Sequence, residues 1–217
     1  MHANDKLNAA TIPARTTIPK KEVLEKNMAG STMYSALELV DEYYKLLMPA
    51  SDIPLTAISS SSGMIWEWLV MPQGLSNASA TFNRLVTQLF RPHRAYAQTY
   101  FDDIFVHNRA EQGRSDVYIY IDHLRAVLEC ICTNKVYANA SKCIVSADEI
   151  PFLGCFIGKQ GLRADPAKVK AILDWPFPKN QTLRKWLGIA NYLHKYSENY
   201  ADMARSLFNL LEKDVEG

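Results

Sequence analysis

The sequence predicts an α+β chain: a mixed body of strands and helices over roughly 160 residues, then a helical tail. Three observations lead there. Short apolar runs flank the pair Asp102-Asp103 in "AYAQTYFDDIFVH". Apolar residues recur at helical spacing in two stretches, at Ala78, Phe82, Leu85, Val86 and Leu89 and at Ile121, Leu124, Val127, Leu128 and Ile131. Beyond Gly161 strand-like runs give way to helical segments punctuated by proline.

Taken in order, the polar start up to about Thr17 reads as loop, and Lys20 to Asn27 as a short helix. "MYSALELV" (33–40) alternates loosely and suits a strand. Pro49 to Pro54 is a connection, and "SSSSG" (59–63) a turn leading into the strand candidate "MIWEWLVM" (64–71). A helix covers Asn77 to Phe90, two strands flank the acidic pair, and another helix follows. "PFLGCFIG" (151–158) is strand-like. Asp165-Pro166 starts a helix, with an acid to cap it and proline at its first position. Pro176 and Pro178 end that helix near Trp175. Two more helices run from about Thr182 to Lys195 and from about Ala201 to Leu211.

Bulk composition excludes little. The 217 residues are 48% hydrophobic and 22% charged, as in ordinary globular chains. Apolar runs are too short to span a bilayer, and no signal peptide opens the sequence. Cys130, Cys132, Cys143 and Cys155 form no C-x-x-C pair and are expected to be reduced thiols. The net charge of +1 advertises no polyanion partner. Locally, seven Lys/Arg lie between Arg163 and Lys195 (Arg163, Lys168, Lys170, Lys179, Arg184, Lys185 and Lys195) against Asp165 and Asp174. That excess suits either phosphates or a solvated helical face.

The acidic pair needs an explanation, because carboxylates inside an apolar run are costly. Flanking strands put Asp102 and Asp103 at or beside a hairpin turn. A turn that favours Asp is one reading. Coordination of Mg²⁺ by carboxylates, water and phosphate oxygens is the other. Strand residues alternate in direction, so Asp102 is expected to carry most of the metal contact. A third carboxylate from elsewhere is also expected.

The neighbouring motifs extend this reading. Tyr100-Phe101-Asp102-Asp103 resembles the Y-x-D-D signature of reverse transcriptases. "WLVMPQGLSNASATFNRL" (68–85), "ANASKC" (138–143), "FLG" (152–154), "LRADPAKVKAILDWPFPKN" (162–180) and "LRKWLGIANYLHKY" (183–196) resemble, in order and spacing, blocks of gypsy-type LTR retrotransposons. The resemblance runs from about Leu7 onward. It implies a right-hand polymerase with a ferredoxin-like palm of antiparallel sheet and helices. Palm would cover 31–48 and 76–157, with fingers in 1–30 and 49–75 and a helical thumb from 158 to 217. The implied reaction is RNA-directed DNA synthesis: a primer 3′-OH on an RNA or DNA template is extended by a dNTP. Two Mg²⁺ ions, or Mn²⁺ as substitute, would assist. The implied setting is cytoplasmic, in a retrotransposon particle, or nuclear.

Roles follow by position in that resemblance. Asp102 and Asp103 match the metal-binding pair. Pro72, Gln73 and Gly74 match the loop bordering the nascent base pair, where glycine lets backbone approach substrate. Tyr43 matches the aromatic under the incoming sugar, but also suits a strand-end core tyrosine. Lys142 matches a lysine that protonates leaving pyrophosphate, but also suits a surface lysine. Phe152, Leu153 and Gly154 match the hairpin that grips the primer. Arg184 and Lys185 join the basic thumb segment over the template–primer phosphates.

The chain also departs from the pattern. The family's third carboxylate is the aspartate of an "L-D-L" strand, five residues before the sugar-facing aromatic. Here Leu37-Glu38-Leu39 stands there, so Glu38 takes the catalytic and metal-binding position. Its extra methylene moves the carboxylate by about 1.5 Å, and displacements of about 1 Å can cost ~10²-fold in rate. Asp41 is a conceivable substitute. Glu42 replaces a glycine, Lys45 a glutamine and Ser79 a proline. Basic fingers strands have no counterpart before Leu7, and no RNase H or integrase sequence follows the thumb. Weak or absent polymerase activity is therefore expected, and a catalytically inactive nucleic-acid-binding remnant of the fold is the alternative. A nucleotidyl cyclase is disfavoured by the missing G-G-[DE]-[DE]-F turn. A zinc site is disfavoured because the cysteines lack a suitably spaced histidine pair; His107 and His123 read as ordinary histidines.

Overall fold

The computed structural model describes residues 4–40, 43–108, 113–176, 183–197 and 199–213. Helices α1 (Asp5–Ala10) and α2 (Lys21–Met28) precede the long strand β1 (Tyr34–Val40). A two-stranded hairpin, β2 (Ile58–Ser59) and β3 (Ile65–Trp66), leads to helix α3 (Ala78–Leu89). Then come β4 (Ala97–Tyr100), β5 (Asp103–His107), helix α4 (Asp116–Thr133), β6 (Tyr137–Ala138) and β7 (Ile144–Ala147). A meander of β8 (Glu149–Phe152), β9 (Cys155–Gly158) and β10 (Gly161–Ala164) precedes α5 (Pro166–Leu173), α6 (Leu183–Ala190) and α7 (Tyr200–Lys213).

β1 is central in the main antiparallel sheet, whose order is β4-β5-β1-β6, with β7 also paired to β1. Its period-two pattern divides two cores. Leu37 and Leu39, with Ile104 and Val106 of β5, face a cluster that includes Phe82 and Val86 of α3 and Val127 and Ile131 of α4. Tyr34, with Phe105 of β5, faces the opposite way into a cluster with Leu24 and Met28 of α2 and Ile150, Phe152 and Ile157 of the meander. Glu38 has the parity of Tyr34, so it lies on the meander side, at the open end of that second core.

Several elements differ from the sequence reading. The polar start contains α1, too short for its periodicity to register. The apolar run 64–71 yields strand only at Ile65–Trp66, and Ile65 and Leu69 are 71% and 67% exposed. "PFLGCFIG" is a hairpin rather than one strand. Leu153 and Gly154 both have positive φ, 44° and 86°, and reverse the chain between β8 and β9. β10 pairs with β9, so the meander continues beyond residue 158 into the segment expected to be thumb. The helix expected from Thr182 to Lys195 is α6 followed by a 3₁₀ segment, Asn191–Tyr196. Asp165 caps α5 as its sequence indicates, its Oδ1 accepting from the Ala167 amide at 2.9 Å.

Phe152 joins the meander to the main sheet: it is fully buried, edge-on to Phe105 at 5.0 Å between centroids. Phe152→Ala is expected to destabilise the fold by about 3–5 kcal/mol, read from urea denaturation. A loss below ~1 kcal/mol would mean that this contact does not bind the two sheets.

Candidate active site

The β4–β5 hairpin turns at Phe101-Asp102, where Phe101 takes φ 54°. Asp102 therefore sits in the turn, and Asp103 opens β5, paired with Tyr100 on one side and Glu38 on the other. Opposed residues in an antiparallel ladder share a face, with Cβ atoms about 4.5–5.5 Å apart. The strand pairing thus sets Glu38 beside Asp103. Asp102 joins β1 through its backbone, its carbonyl accepting from the Leu39 amide at 2.8 Å.

Like charges so placed repel. Partial burial, then the carboxylates of Asp102 and Glu38, push the Asp103 carboxyl up to about 6, and Lys142 partly offsets this. Lys142 follows β6 in a tight turn, where the Asn139 carbonyl accepts from its amide at 3.0 Å. Its ammonium donates to Glu38 Oε1 at 2.5 Å, with the two side chains 58% and 31% exposed. Glu38, chiefly by this hydrogen bond, raises the lysine pKa; Asp102 and Asp103 add smaller contributions of the same sign. One cation thus serves three acids. Glu38, Asp103 and Lys142 line a cleft of about 290 Å³, together with Ile144 and the turn residues Leu153 and Gly154.

Hard carboxylate oxygens, clustered and mutually repelling, fit a hard divalent cation by donor type. Among the described residues no three His, Cys, Asp or Glu side chains already form a metal cage, and Glu38 is turned to Lys142. Asp41 and Glu42 lie outside the described residues.

Tyr43 packs edge-on to Phe82 at 6.2 Å, and its hydroxyl meets that of Ser79 at 3.0 Å. Pro72 is buried, while Gln73 and Gly74 are exposed, Gly74 with φ 96°. Phe152 is core, so it supports the turn from beneath and offers no surface to a ligand. The Leu153-Gly154 turn is held by its carbonyls. Leu153 accepts from Lys21 Nζ at 2.6 Å; Gly154 accepts from Lys168 Nζ at 3.0 Å and the Tyr192 hydroxyl at 2.8 Å. Lys185 is exposed on α6, and the side chain of Arg184 lies outside the described residues. Arg163 and Lys195 are engaged by Glu149 and Glu22.

Two asparagines escaped the sequence reading. Asn8 Nδ2 donates to the Gly74 carbonyl and Asn8 Oδ1 accepts from the Ser76 amide, both at 2.8 Å. Asn77 answers with its own amide, accepting from Ala14 N at 2.8 Å and donating to the Ile12 carbonyl at 2.9 Å. The segment before α2 is thereby clasped to the loop after Pro72. Asn77 stands at the N-cap position just before α3 but makes no side-chain cap there. The partners are more than 60 residues apart, beyond the reach of local pattern.

The antiparallel sheet with its packed helices is a polymerase palm. A family model described as reverse transcriptase (RNA-dependent DNA polymerase) matches residues 4–157, and the chain belongs to that family. It is 32% identical over 207 residues to the retrovirus-related Pol polyprotein from transposon opus of Drosophila melanogaster, covering 94% of this chain and 20% of that one. With the transposon Tf2-3 polyprotein of Schizosaccharomyces pombe it shares 30% over 211 residues, covering 96% and 15%. The chain thus spans a fifth or less of these relatives. Among solved structures, the foamy viral protease-reverse transcriptase in complex with dsDNA superimposes with a TM-score of 0.78 at 19% identity, covering 96% of this chain and 42% of that one. At that identity the likeness speaks for the fold.

Two outcomes are expected. The raised Asp103 value means that the folded state binds a proton more readily than the unfolded state. This group's contribution is therefore most favourable below its ordinary value of 3.8 and is lost as pH rises through about 6. Asp103→Asn should raise stability at pH 7.5 in EDTA by on the order of 1 kcal/mol, allowing for solvent screening. It should also flatten the dependence between those pH values in urea titrations. Asn8→Ala should speed hydrogen exchange at the Ser76 amide while costing only about 1 kcal/mol overall.

Proposed function

We propose that this chain is the RNA-directed DNA polymerase domain of a gypsy-type LTR retrotransposon polyprotein, extending a primer 3′-OH with dNTPs on an RNA or DNA template. The observation that carries this is the cross-strand pair of Glu38 and Asp103, with Asp102 in the adjoining turn. In this reading Glu38, Asp102 and Asp103 hold two Mg²⁺ ions, or Mn²⁺. Bound there, the ions supply activation of the attacking oxygen and neutralisation of the leaving phosphate charge.

The chain's own residues do the rest. Tyr43, held by Phe82 and Ser79, forms the floor under the incoming sugar and excludes a 2′-OH. The loop of Pro72, Gln73 and Gly74, steadied by Asn8, borders the nascent pair. Leu153 and Gly154 present the primer end, with Phe152 fixing their turn. Lys142 carries the proton for the leaving pyrophosphate, as a lysine ammonium is charged at neutral pH. Exposed Lys185, with Arg184, meets template–primer phosphates. The foamy viral relatives are described in complex with dsDNA and with an RNA/DNA hybrid, which supports a nucleic-acid partner here. No helix among the described residues is long and apolar enough to cross a membrane. The setting we infer is the cytoplasm, in a retrotransposon particle, or the nucleus.

Glu38 weakens the reaction in this reading, because a longer side chain misplaces one ligand. The Lys142–Glu38 ion pair favours a second reading, in which the fold binds primer–template without extending it. Primer extension on poly(rA)/oligo(dT) with Mg²⁺ or Mn²⁺ separates the two. Under the first reading, incorporation is slow, rises by up to ~10²-fold with Glu38→Asp, and vanishes with Asp102→Asn. Binding without extension, even with Glu38→Asp, establishes the second.

A further inference from the structure

We propose that Lys142 is a built-in counter-ion that occupies the acidic site and must leave Glu38 before a divalent cation can use that carboxylate. The inference rests on the metal-site reading above and adds a competitor from within the chain. Three observations support it. The ammonium contacts Glu38 Oε1 at 2.5 Å, on the face Glu38 shares with Asp103. Asp102 and Asp103 act on the same ammonium in the same sense as Glu38, though less strongly. Glu38, Asp103 and Lys142 line the same cleft, so an ion entering it meets the ammonium beside both carboxylates.

The length of the residue at position 38 bears on this contact. Glutamate carries its carboxylate one methylene farther from β1 than aspartate does. Lys142 comes from the turn after β6, whose register with β1 is set by Leu39 against Ala138 and by the Asn139 amide donating to the Glu38 carbonyl at 2.8 Å. The main chain of residue 38 thus anchors the turn that presents Lys142, and the side chain of residue 38 receives its charge. The pair is partly exposed, and such ion pairs are weak. A divalent ion is therefore able to displace the lysine, at reduced affinity.

The test is a metal titration of the chain without nucleic acid. Mn²⁺ binding is followed by electron paramagnetic resonance, and Mg²⁺ by calorimetry. Lys142→Met is expected to tighten binding about tenfold, by removing both the competitor and its repulsion of the ion. Lys142→Arg, which keeps the charge, should stay within about twofold of the parent. Glu38→Asp should tighten binding too, and Lys142→Met added to it should gain less than in the parent. An independent readout is amine labelling of Lys142 mapped by mass spectrometry. Mg²⁺ should raise its reactivity as the ammonium is released, which checks the idea even if Lys142→Met fails to fold. Equal affinity in parent and Lys142→Met, or labelling unchanged at saturating Mg²⁺, overturns the counter-ion role while leaving the metal site standing. Absence of divalent binding in every folded variant overturns the metal-site reading and this inference with it.

Discussion

The register between β1 and β5 is the constraint on which the site depends. One pairing fixes both the sorting of Leu37, Leu39, Ile104 and Val106 into one core and the meeting of Glu38 with Asp103. A slip by one residue would turn every one of those apolar side chains to the wrong face. Hydrophobic burial thus enforces an electrostatically unfavourable contact: the four core residues outweigh the repulsion of two carboxylates at the strand end. This is how a fold keeps charges close enough to serve a ligand.

The same economy holds on the other wall of the cleft. Gly154 has no Cβ, and one built there would stand 2.5 Å from Lys168 Nζ. Its carbonyl can therefore gather Lys168 from α5 and Tyr192 from the 3₁₀ segment. Tyr192 in turn accepts from the Asp165 amide at 2.9 Å, beside the cap of α5. The C-terminal helices are thus tied, through one hydroxyl and one ammonium, to the turn that lines the acidic cleft.

Much of this was legible in the sequence, and the failures have physical causes. Strands β1, β4 and β5 and helices α3 and α4 could be read because each buries a whole face, leaving a period in the apolar residues. The β8–β9 hairpin was hidden because its reversal uses Leu153 in a left-handed conformation, which residue type does not announce. The apolar run at 64–71 misled because hydrophobicity alone does not supply a neighbouring strand. At the site, the acids were visible as types but their pairing was not. Strand alternation makes the two aspartates inequivalent, but that Asp103 is the one set against Glu38 follows from register, which residue types do not show. The Asn8–Asn77 clasp had no local signal at all.

The departures from the family pattern gain a common meaning from their contacts. Glu38 forms an ion pair with Lys142. Ser79 meets the Tyr43 hydroxyl, which a proline has no group to do. Lys45 places its ammonium 3.9 Å from the centre of the Tyr137 ring. Each substituted side chain has found a partner inside the chain, and in two cases that partner is a residue expected to serve substrate or product. Functional sites are where local rules of packing and charge are most often broken. The contacts at positions 38 and 79 thus leave the Lys142 ammonium and the Tyr43 hydroxyl already partnered within the chain, so whatever binds this cleft must compete with the protein's own side chains for them.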